Sequence, residues 1–325
     1  MGRTFGSEVR FICLENLKKG VDNMSNTNTK SAPNNFWKEN KGFIFIIPWL
    51  VGFLVFKGYP FLSSLVYSFS DYSLFEGIHK WGIFNYLDIF TNKKIQEGFG
   101  ITFRYAFMTV PLKLVFALFV AYILNFKIKG VKMFRTVYYI PSILGSSVAI
   151  AVLWKAIFKD DGIINMILGF IGIEGPHWLS NKSAALFIIC LLRVWQFGST
   201  MVIFLAALKG VSPDLYEAAS LDGAGKWRQF FTITVPMITP VIFYNLVTQL
   251  VQAFQEFNGP YIITAGGPRG ATTLVSLLIY NNAFKKYAMG LASAQAWVLF
   301  IILMIFTAIL QYSQKHWVYY SDEEA

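Results

Sequence analysis

Six apolar stretches, each long enough to cross a membrane as a helix, constrain this chain most. They lie at about residues 43–66, 104–125, 137–158, 184–208, 233–255 and 291–313. A helix needs about 20 apolar residues to cross the roughly 30 Å of hydrocarbon in a bilayer. The alternation of apolar and polar residues that is typical of a membrane barrel strand is nowhere sustained. The stretches therefore predict an all-α polytopic membrane protein with six transmembrane helices.

The basic residues predict the orientation of those helices. The chain carries a net charge of +10, but its Lys and Arg residues lie in short segments beside apolar stretches, which is typical of topology signals and not of a nucleic-acid surface. They are more numerous in 1–42, 126–136, 209–232 and the carboxyl end than in 67–103, 159–183 and 256–290. The sequence thus predicts cytoplasmic tails at 1–42 and 314–325 on either side of a transmembrane domain at 43–313.

Few residues suggest enzyme chemistry. Cys13 and Cys190 offer neither a disulfide framework nor a metal site. The adjacent acids Asp160 and Asp161 have no histidine close in sequence, so an acid–base or metal cluster is not indicated. A polytopic membrane enzyme, such as a glycosyl or phosphoryl transferase, is the alternative to a transporter. An ion channel would need a selectivity filter or a voltage-sensing row of arginines, and neither pattern is present.

The loop at 209–232 is polar and contains residues that are typical of helix starts and helix ends. Ser212 is a good N-cap, Pro213 suits the first helical position, and Asp214 favours the positive end of the helix dipole. We expect a helix from Pro213 to about Asp222, followed by a turn at glycine and a second helix into the fifth span. Such a rigid helix–turn–helix can dock in a groove of another protein.

A set of residues at fixed spacing in this loop matches the motif of a known family. The set is Glu217, Ala218, Ala219, Gly223, Ile233, Val235 and Pro236. It resembles the EAA loop of ABC importer permeases, whose pattern is EAA, three residues, Gly, nine residues, and then I-x-L-P. Val235 in place of leucine is the only departure. The resemblance implies the type I permease architecture, with the loop as a coupling helix seated in a cleft of a cytoplasmic ATPase.

The resemblance also implies roles and partners. The coupling residues would be Glu217, Ala218, Ala219, Asp222 and Gly223, with Glu217 pairing with a basic residue of the ATPase. The partners would be two copies of the ATPase, a second homologous permease, an extracytoplasmic solute-binding protein, membrane lipid and the substrate, with no nucleic acid. The loops at 67–103 and 256–290 would dock the binding protein. The protein would lie in the bacterial inner membrane.

The same loop contains a misleading glycine-rich stretch. SLDGAGKW lacks the first glycine of a phosphate-binding loop, and Trp227 replaces the Ser or Thr that would hold magnesium. We therefore expect no cofactor on this chain, with ATP and Mg²⁺ bound by the partner ATPase. Stretches across 43–313 resemble the maltose-importer branch, which implies an oligosaccharide as the substrate.

Polar residues within the predicted spans are candidates for the substrate pathway, because polar groups in hydrocarbon are costly. The candidates are Lys113, Arg193, Trp195, Gln196, Ser199, Tyr244, Asn245, Gln249, Gln252 and Glu256. The fifth-span amides and Glu256 recur at helical spacing and so share one face. Amides suit sugar hydroxyls, although they also hydrogen-bond neighbouring helices.

Arg193 and Lys113 leave two interpretations open. A cation at mid-membrane needs a partner or a wet cavity. One interpretation is an internal ion pair, such as Arg193 with Glu256. The other is that both cations favour an acidic sugar such as a uronate oligomer, which the alginate importer of this family would fit.

Overall fold

A computed structural model describes residues 41–126, 130–145 and 147–320 of the chain. Most of the predicted amino-terminal tail (1–40) and the last five residues (321–325) lie outside the described residues. Within those ranges the protein is helical, and strand pairing is limited to isolated bridges such as Ser70 with Trp81. The predicted all-α class is confirmed.

The described chain divides after Phe61 into two units. The first contains α1 (Lys41–Phe53) and a π-helical turn at Leu54–Gly58, and α2 (Tyr59–Ser68) contains the boundary. The aromatic rings of Phe45 and Phe56 are more than 80% exposed. Side chains this apolar need lipid or another protein around them.

The second unit contains the remaining helices. They are α3 (Phe84–Thr91), α4 (Lys93–Asn125), α5 (Val131–Leu144), α6 (Val148–Ile157), α7 (Ile163–Phe170), α8 (Lys182–Trp195), α9 (Gly198–Gly210), α10 (Pro213–Leu221), α11 (Lys226–Gln229), α12 (Val235–Met237), α13 (Thr239–Phe254), α14 (Val275–Tyr280) and α15 (Met289–Trp317). Further π-helical turns lie at Phe230–Thr234, Pro260–Thr264 and Asn281–Lys285.

The six predicted spans all correspond to helical segments, but three of them are broken. Phe45–Ser68, Lys93–Asn125 and Met289–Trp317 are continuous and apolar enough to cross a membrane. The other three spans are helix pairs, α5 with α6, α8 with α9, and α11–α12 with α13, which bend by 103°, 46° and 66° respectively. Each of the predicted spans at 137–158, 184–208 and 233–255 therefore consists of two helical segments joined at a bend.

The breaks have identifiable local causes. In the third span, Pro141 removes a backbone donor, and Ser147 caps α6 by accepting a hydrogen bond from the Ala149 N–H at 3.2 Å. In the fifth span, the bend falls at Ile238 between Pro236 and Pro240. Thr239 Oγ donates to the Pro236 carbonyl at 2.6 Å, which satisfies one acceptor freed there.

Helix α4 is the central element of the second unit. It packs against α8, α9 and α13 and contributes a buried face that includes Ala106, Ala117 and Ala121. Small side chains on this face let the neighbouring helices approach closely. The opposite side presents Val115 and Phe119, which are 67% and 57% exposed. α4 thus carries both the core and an apolar outer surface suited to lipid or to another membrane subunit.

Candidate functional site

Helix α10, here called the coupling helix after the role that the resemblance implies, forms as the sequence predicts. Ser212 Oγ accepts a hydrogen bond from the Asp214 N–H at 3.3 Å, and Pro213 occupies the first helical turn. The helix ends at Leu221, and Gly223 then adopts φ +77°, a conformation that costs other residues energy. The predicted end at about Asp222 and the predicted glycine turn are confirmed.

The outer face of the coupling helix is uncovered by its own chain. Glu217, Ala218, Asp222 and Gly223 are exposed, and Ala219 is half-buried. Leu221 and, beyond the turn, Trp227 are 90% and 75% exposed. Glu217 has no hydrogen bond or ion pair with any residue that the structure describes. An acidic group beside large exposed apolar side chains is typical of a protein-binding surface.

The inner face of the coupling helix is tied to the base of the fifth span. Tyr216 Oη lies 2.8 Å from Thr234 Oγ, and Gln229 Nε donates to Ser220 Oγ and to the Ala224 carbonyl, both at 2.9 Å. Sequence reasoning missed these residues. Their polar side chains beside the turn were the only signal, because the pairing depends on how the helices fold back. The contacts link α10 to the segment that leads into α13.

A basic cavity of about 930 Å³ adjoins the coupling helix. Its lining includes Lys132, Arg135 and Lys209 together with Glu217, and it reaches Asn125 at the end of α4. The coupling helix therefore lies at the carboxyl-terminal end of α4. The basic lining faces the same space as the free Glu217 carboxylate.

A second group of residues, here called the polar cluster, joins α8 to the end of α13. It consists of Arg193, Gln196, Gln252 and Glu256. The Arg193 guanidinium donates to Gln252 Oε at 2.7 Å and to Gln196 Oε at 3.1 Å, and its Nε lies 3.8 Å from Glu256 Oε2. The interpretation of Arg193 and Glu256 as an internal ion pair is confirmed in this conformation.

The polar cluster also connects the helix breaks of the third and fourth spans. Gln196, which lies between α8 and α9, donates from Nε to the Gly145 carbonyl at 2.9 Å, between α5 and α6. Its own carbonyl accepts from Ser142 Oγ at 3.1 Å. A Cβ built on Gly145 would lie 2.3 Å from the Gln196 side chain, so only glycine allows this approach. The bends in the third and fourth spans are thus joined by one glutamine.

Lys113 and Gln249 form a separate contact, here called the lysine pair. Lys113 Nζ donates to Gln249 Oε at 2.8 Å, and the two side chains are 3% and 7% exposed. An amide neutralises no charge, and no carboxylate among the described residues lies within salt-bridge distance of this ammonium. A buried cation with such a partner is unusual, because a charge without a counter-ion is costly inside the membrane.

The other predicted pathway residues are not part of these contacts. Asn245 is buried and donates to the Val241 carbonyl of its own helix at 2.9 Å. Trp195 packs against Trp154 with ring centroids 5.6 Å apart. Ser199 is exposed and donates its backbone N–H to Ser142 Oγ at 2.9 Å, and Tyr244 is 59% exposed. The structure brings together six of the ten predicted pathway residues, in one cluster and one pair.

Two cavities meet at Arg193 and Glu256. A narrower one of about 60 Å³ is also lined by Gln196 and by Tyr105, whose buried hydroxyl has no partner among the described residues. A more open one of about 230 Å³ is also lined by Gln252, Gln255 and Asn258. Sequence reasoning missed Tyr105, Gln255 and Asn258. The latter two directly continue the polar row of the fifth span, and that continuity was a usable signal.

The loops at 67–103 and 256–290 contact each other at the opposite end of α4. The Gly290 N–H donates to the Tyr72 carbonyl at 3.0 Å, and the rings of Phe75 and Tyr287 lie 4.7 Å apart. The Asp71 carboxylate accepts the backbone N–H groups of Lys80 and His79, and these bonds lower the pKa of Asp71. The two loops thus form one ordered surface.

Comparisons with known proteins place this geometry in a family. Residues 92–316 match the family described as "Binding-protein-dependent transport system inner membrane component". The probable ABC transporter permease protein YesP of Bacillus subtilis is 46% identical over 288 residues, which cover 87% of this chain and 93% of that protein. The trehalose/maltose transport system permease protein MalF of Thermococcus litoralis is 31% identical over 271 residues, with coverage of 82% and 91%.

A solved structure shows the same fold. A chain of the bacterial alginate ABC transporter, in complex with an alginate pentasaccharide-bound periplasmic protein, matches with a TM-score of 0.73 at 21% identity, covering 86% of this chain and 96% of that one. The expectation of a transporter subunit, as opposed to a membrane enzyme, is confirmed by the family match. The chain belongs to the family of binding-protein-dependent transport system inner membrane components, the permeases of ABC importers.

Proposed function

We propose that this chain is one of two different permease subunits of an importer that moves an oligosaccharide into the cytoplasm by alternating access. Two copies of a separate ATPase bind ATP and Mg²⁺, and a solute-binding protein delivers the sugar on the other side of the membrane. Both chain termini are cytoplasmic in this arrangement. The proposal that the substrate is a carbohydrate is supported by relatives such as the Thermococcus trehalose/maltose permease.

The exposed face of the coupling helix is the observation that carries the proposal. Glu217 has no partner among the described residues, while Leu221 beside it is 90% exposed. Such a face gains stability when it enters a groove of another protein that offers a cation and apolar walls. Because Tyr216 and Gln229 tie the helix to the segment leading into α13, a displacement of the helix would move the fifth span.

Charge reversal at Glu217 tests this docking. The complex reconstituted with Glu217→Lys should lose at least about tenfold in ATP-driven uptake, because truncating or reversing one partner of a charge pair at an interface costs about 2–5 kcal/mol. Glu174→Lys, at an exposed position in the loop at 159–183, is the matched control and should transport normally. Full ATPase retention and full uptake by the Glu217 variant would contradict the proposal.

The polar residues of the fourth and fifth spans are the proposed substrate pathway. The open cavity of about 230 Å³ at Gln252, Glu256 and Asn258 supports this, because its lining offers amide donors and acceptors that match sugar hydroxyls. In the present conformation Gln249 and Gln252 bind Lys113 and Arg193. Alternating access would have to exchange these contacts for contacts with the sugar.

The charge of the sugar is the most detailed part of the proposal. Glu256 balances Arg193, so the row of pathway residues retains one positive charge, at Lys113. This excess favours an acidic oligosaccharide, such as a uronate oligomer, over a neutral one. Because Lys113 is buried here, the proposal requires that the transport cycle expose it.

Paired substrates test the charge preference. Lys113→Gln should weaken uptake of an acidic oligosaccharide at least about tenfold more than uptake of a neutral one, since a hydrogen bond to a charged group contributes about 1.5–3 kcal/mol. Lys113→Arg, which keeps the charge, should retain the preference. Arg193→Gln should act in the same direction. Equal losses for both sugars would refute an acidic substrate while leaving the importer assignment intact.

A further inference from the structure

A cavity at the amino-terminal end of α4 is used by none of the roles above. It measures about 470 Å³ and lies between α4 and α8, covered by the segment at 269–271. Because the coupling helix lies at the carboxyl-terminal end of α4, this cavity opens near the opposite membrane surface. It is a groove in the wall of the second unit and is separate from the polar cluster.

The charged residues of this groove are unbalanced. Arg104, Lys182 and Arg269 line it together with one carboxylate, Glu97. None of the four side chains has a hydrogen bond or ion pair with any residue that the structure describes. Arg269 adopts φ +48°, a conformation that is costly for a residue with a Cβ. Three cations against one acid leave a net positive charge available to a ligand.

The walls of the groove change from charged to apolar along the helix axis. Glu97 and Arg104 are two turns apart on α4, and Met108 follows one turn further, toward the middle of the span. Leu186 and Phe187 line the same depth from α8, and Phe187 is 43% exposed. The predicted second span begins at about residue 104, so the cations lie at the level of lipid headgroups and the apolar side chains at the level of acyl chains.

We propose that this groove binds an anionic phospholipid, with its phosphate among Arg104, Lys182 and Arg269 and an acyl chain along Met108, Leu186 and Phe187. Basic pockets between transmembrane helices recognise anionic headgroups through charge-assisted hydrogen bonds. An acidic loop of a partner protein would satisfy the cations but has no use for apolar walls at acyl-chain depth. The order of charged and apolar lining along α4 therefore favours a lipid.

The test titrates lipid into the full chain purified in a neutral detergent. Phosphatidylglycerol should raise the thermal unfolding temperature saturably, and phosphatidylcholine or inorganic phosphate should not. Each of Arg104→Gln, Lys182→Gln and Arg269→Gln should raise the apparent Kd for phosphatidylglycerol about tenfold. Lys159→Gln, which removes an exposed cation elsewhere, is the matched control and should change nothing.

A second variant fills the groove while keeping its charges. Gly100 lines the cavity one turn from Arg104, and a Cβ built there meets no atom within 4 Å, so Gly100→Leu should fold and occupy the space of the headgroup. Native mass spectrometry should then detect loss of the bound phosphatidylglycerol, whereas Gly52→Leu, at another helical glycine with open surroundings, should retain it.

Three outcomes would overturn the proposal. The first is equal stabilisation by phosphatidylglycerol and phosphatidylcholine. The second is saturable stabilisation by inorganic phosphate alone, which would show a free phosphate site without a lipid. The third is an absence of any lipid response, and a response to the solute-binding protein in its place would assign the cations to that partner.

Discussion

The coupling helix and the polar cluster use charged residues in opposite ways. Glu217 is exposed and has no partner in the described chain, whereas Arg193 donates hydrogen bonds to Gln196 and Gln252 and forms an ion pair with Glu256. A free surface charge stabilises the isolated chain little but is available to a partner. A partnered interior charge is needed for the local structure itself. The two regions should therefore separate coupling from stability when each is changed.

The largest expected effect on stability is in the polar cluster. Glu256→Gln should lower the free energy of unfolding by about 3 kcal/mol, the lower end for breaking a buried ion pair, because Arg193 is left without its carboxylate. The lower end applies because the two side chains are 20% and 13% exposed and their closest approach is 3.8 Å. Thermal unfolding of the full chain in detergent measures the change, with Glu174→Gln as an exposed control.

A double substitution sharpens this result. Arg193→Gln combined with Glu256→Gln should cost less than the sum of the two single changes, since neither charge is then left unpaired. Additive losses would mean that the two residues do not interact, and would remove the contrast between the cluster and the coupling helix.

An intermediate effect is expected where the coupling helix joins the fifth span. Tyr216→Phe removes the hydrogen bond to Thr234 and should cost about 1 kcal/mol. Hydrogen exchange should show faster exchange of the backbone amides of residues 214–221, while those of α4 are unchanged. Tyr139→Phe, at a 40% exposed ring, is the control. Unchanged exchange in the coupling helix would mean that the hydroxyl pair does not hold it in place.

The smallest expected effect is at the exposed face of the coupling helix. Glu217→Gln should change the free energy of unfolding by less than about 0.5 kcal/mol, as for a surface substitution without partners, even though it removes the charge that we propose for docking to the ATPase. The same thermal unfolding assay measures it. A drop comparable to that of Glu256→Gln would reveal an intramolecular partner and make the two regions alike.

Sequence reasoning succeeded where the signal was local. The N-cap at Ser212, the helix after Pro213 and the turn at Gly223 depend on neighbouring residues and came out as predicted. The apolar stretches located all six spans for the same reason, since hydropathy is a property of consecutive residues. Hydropathy does not show the bends in three of the spans. Pro236 and Pro240 signalled a kink, but the size of a bend depends on the helices packed around it.

In the candidate site too, local spacing was predictable from the sequence and contacts between distant residues were not. Spacing placed Gln249, Gln252 and Glu256 on one face of the fifth span, and left open whether they bind a sugar or neighbouring helices. The structure gives each a partner within the chain: Lys113 for Gln249, and Arg193 for Gln252 and Glu256. Residues 136 positions apart meet in the lysine pair, and no spacing rule predicts such a contact.

The sequence by itself determined the membrane class, the positions of the spans and the form of the coupling helix, because hydropathy, caps and glycine conformation act over a few residues. The tertiary structure alone decided that Arg193 is balanced by Glu256 while Lys113 is not. It also decided that Arg104, Lys182 and Arg269 share one groove. Charges far apart in the chain become partners or stay free only when helix packing sets the distances between them, and electrostatic energy depends on those distances.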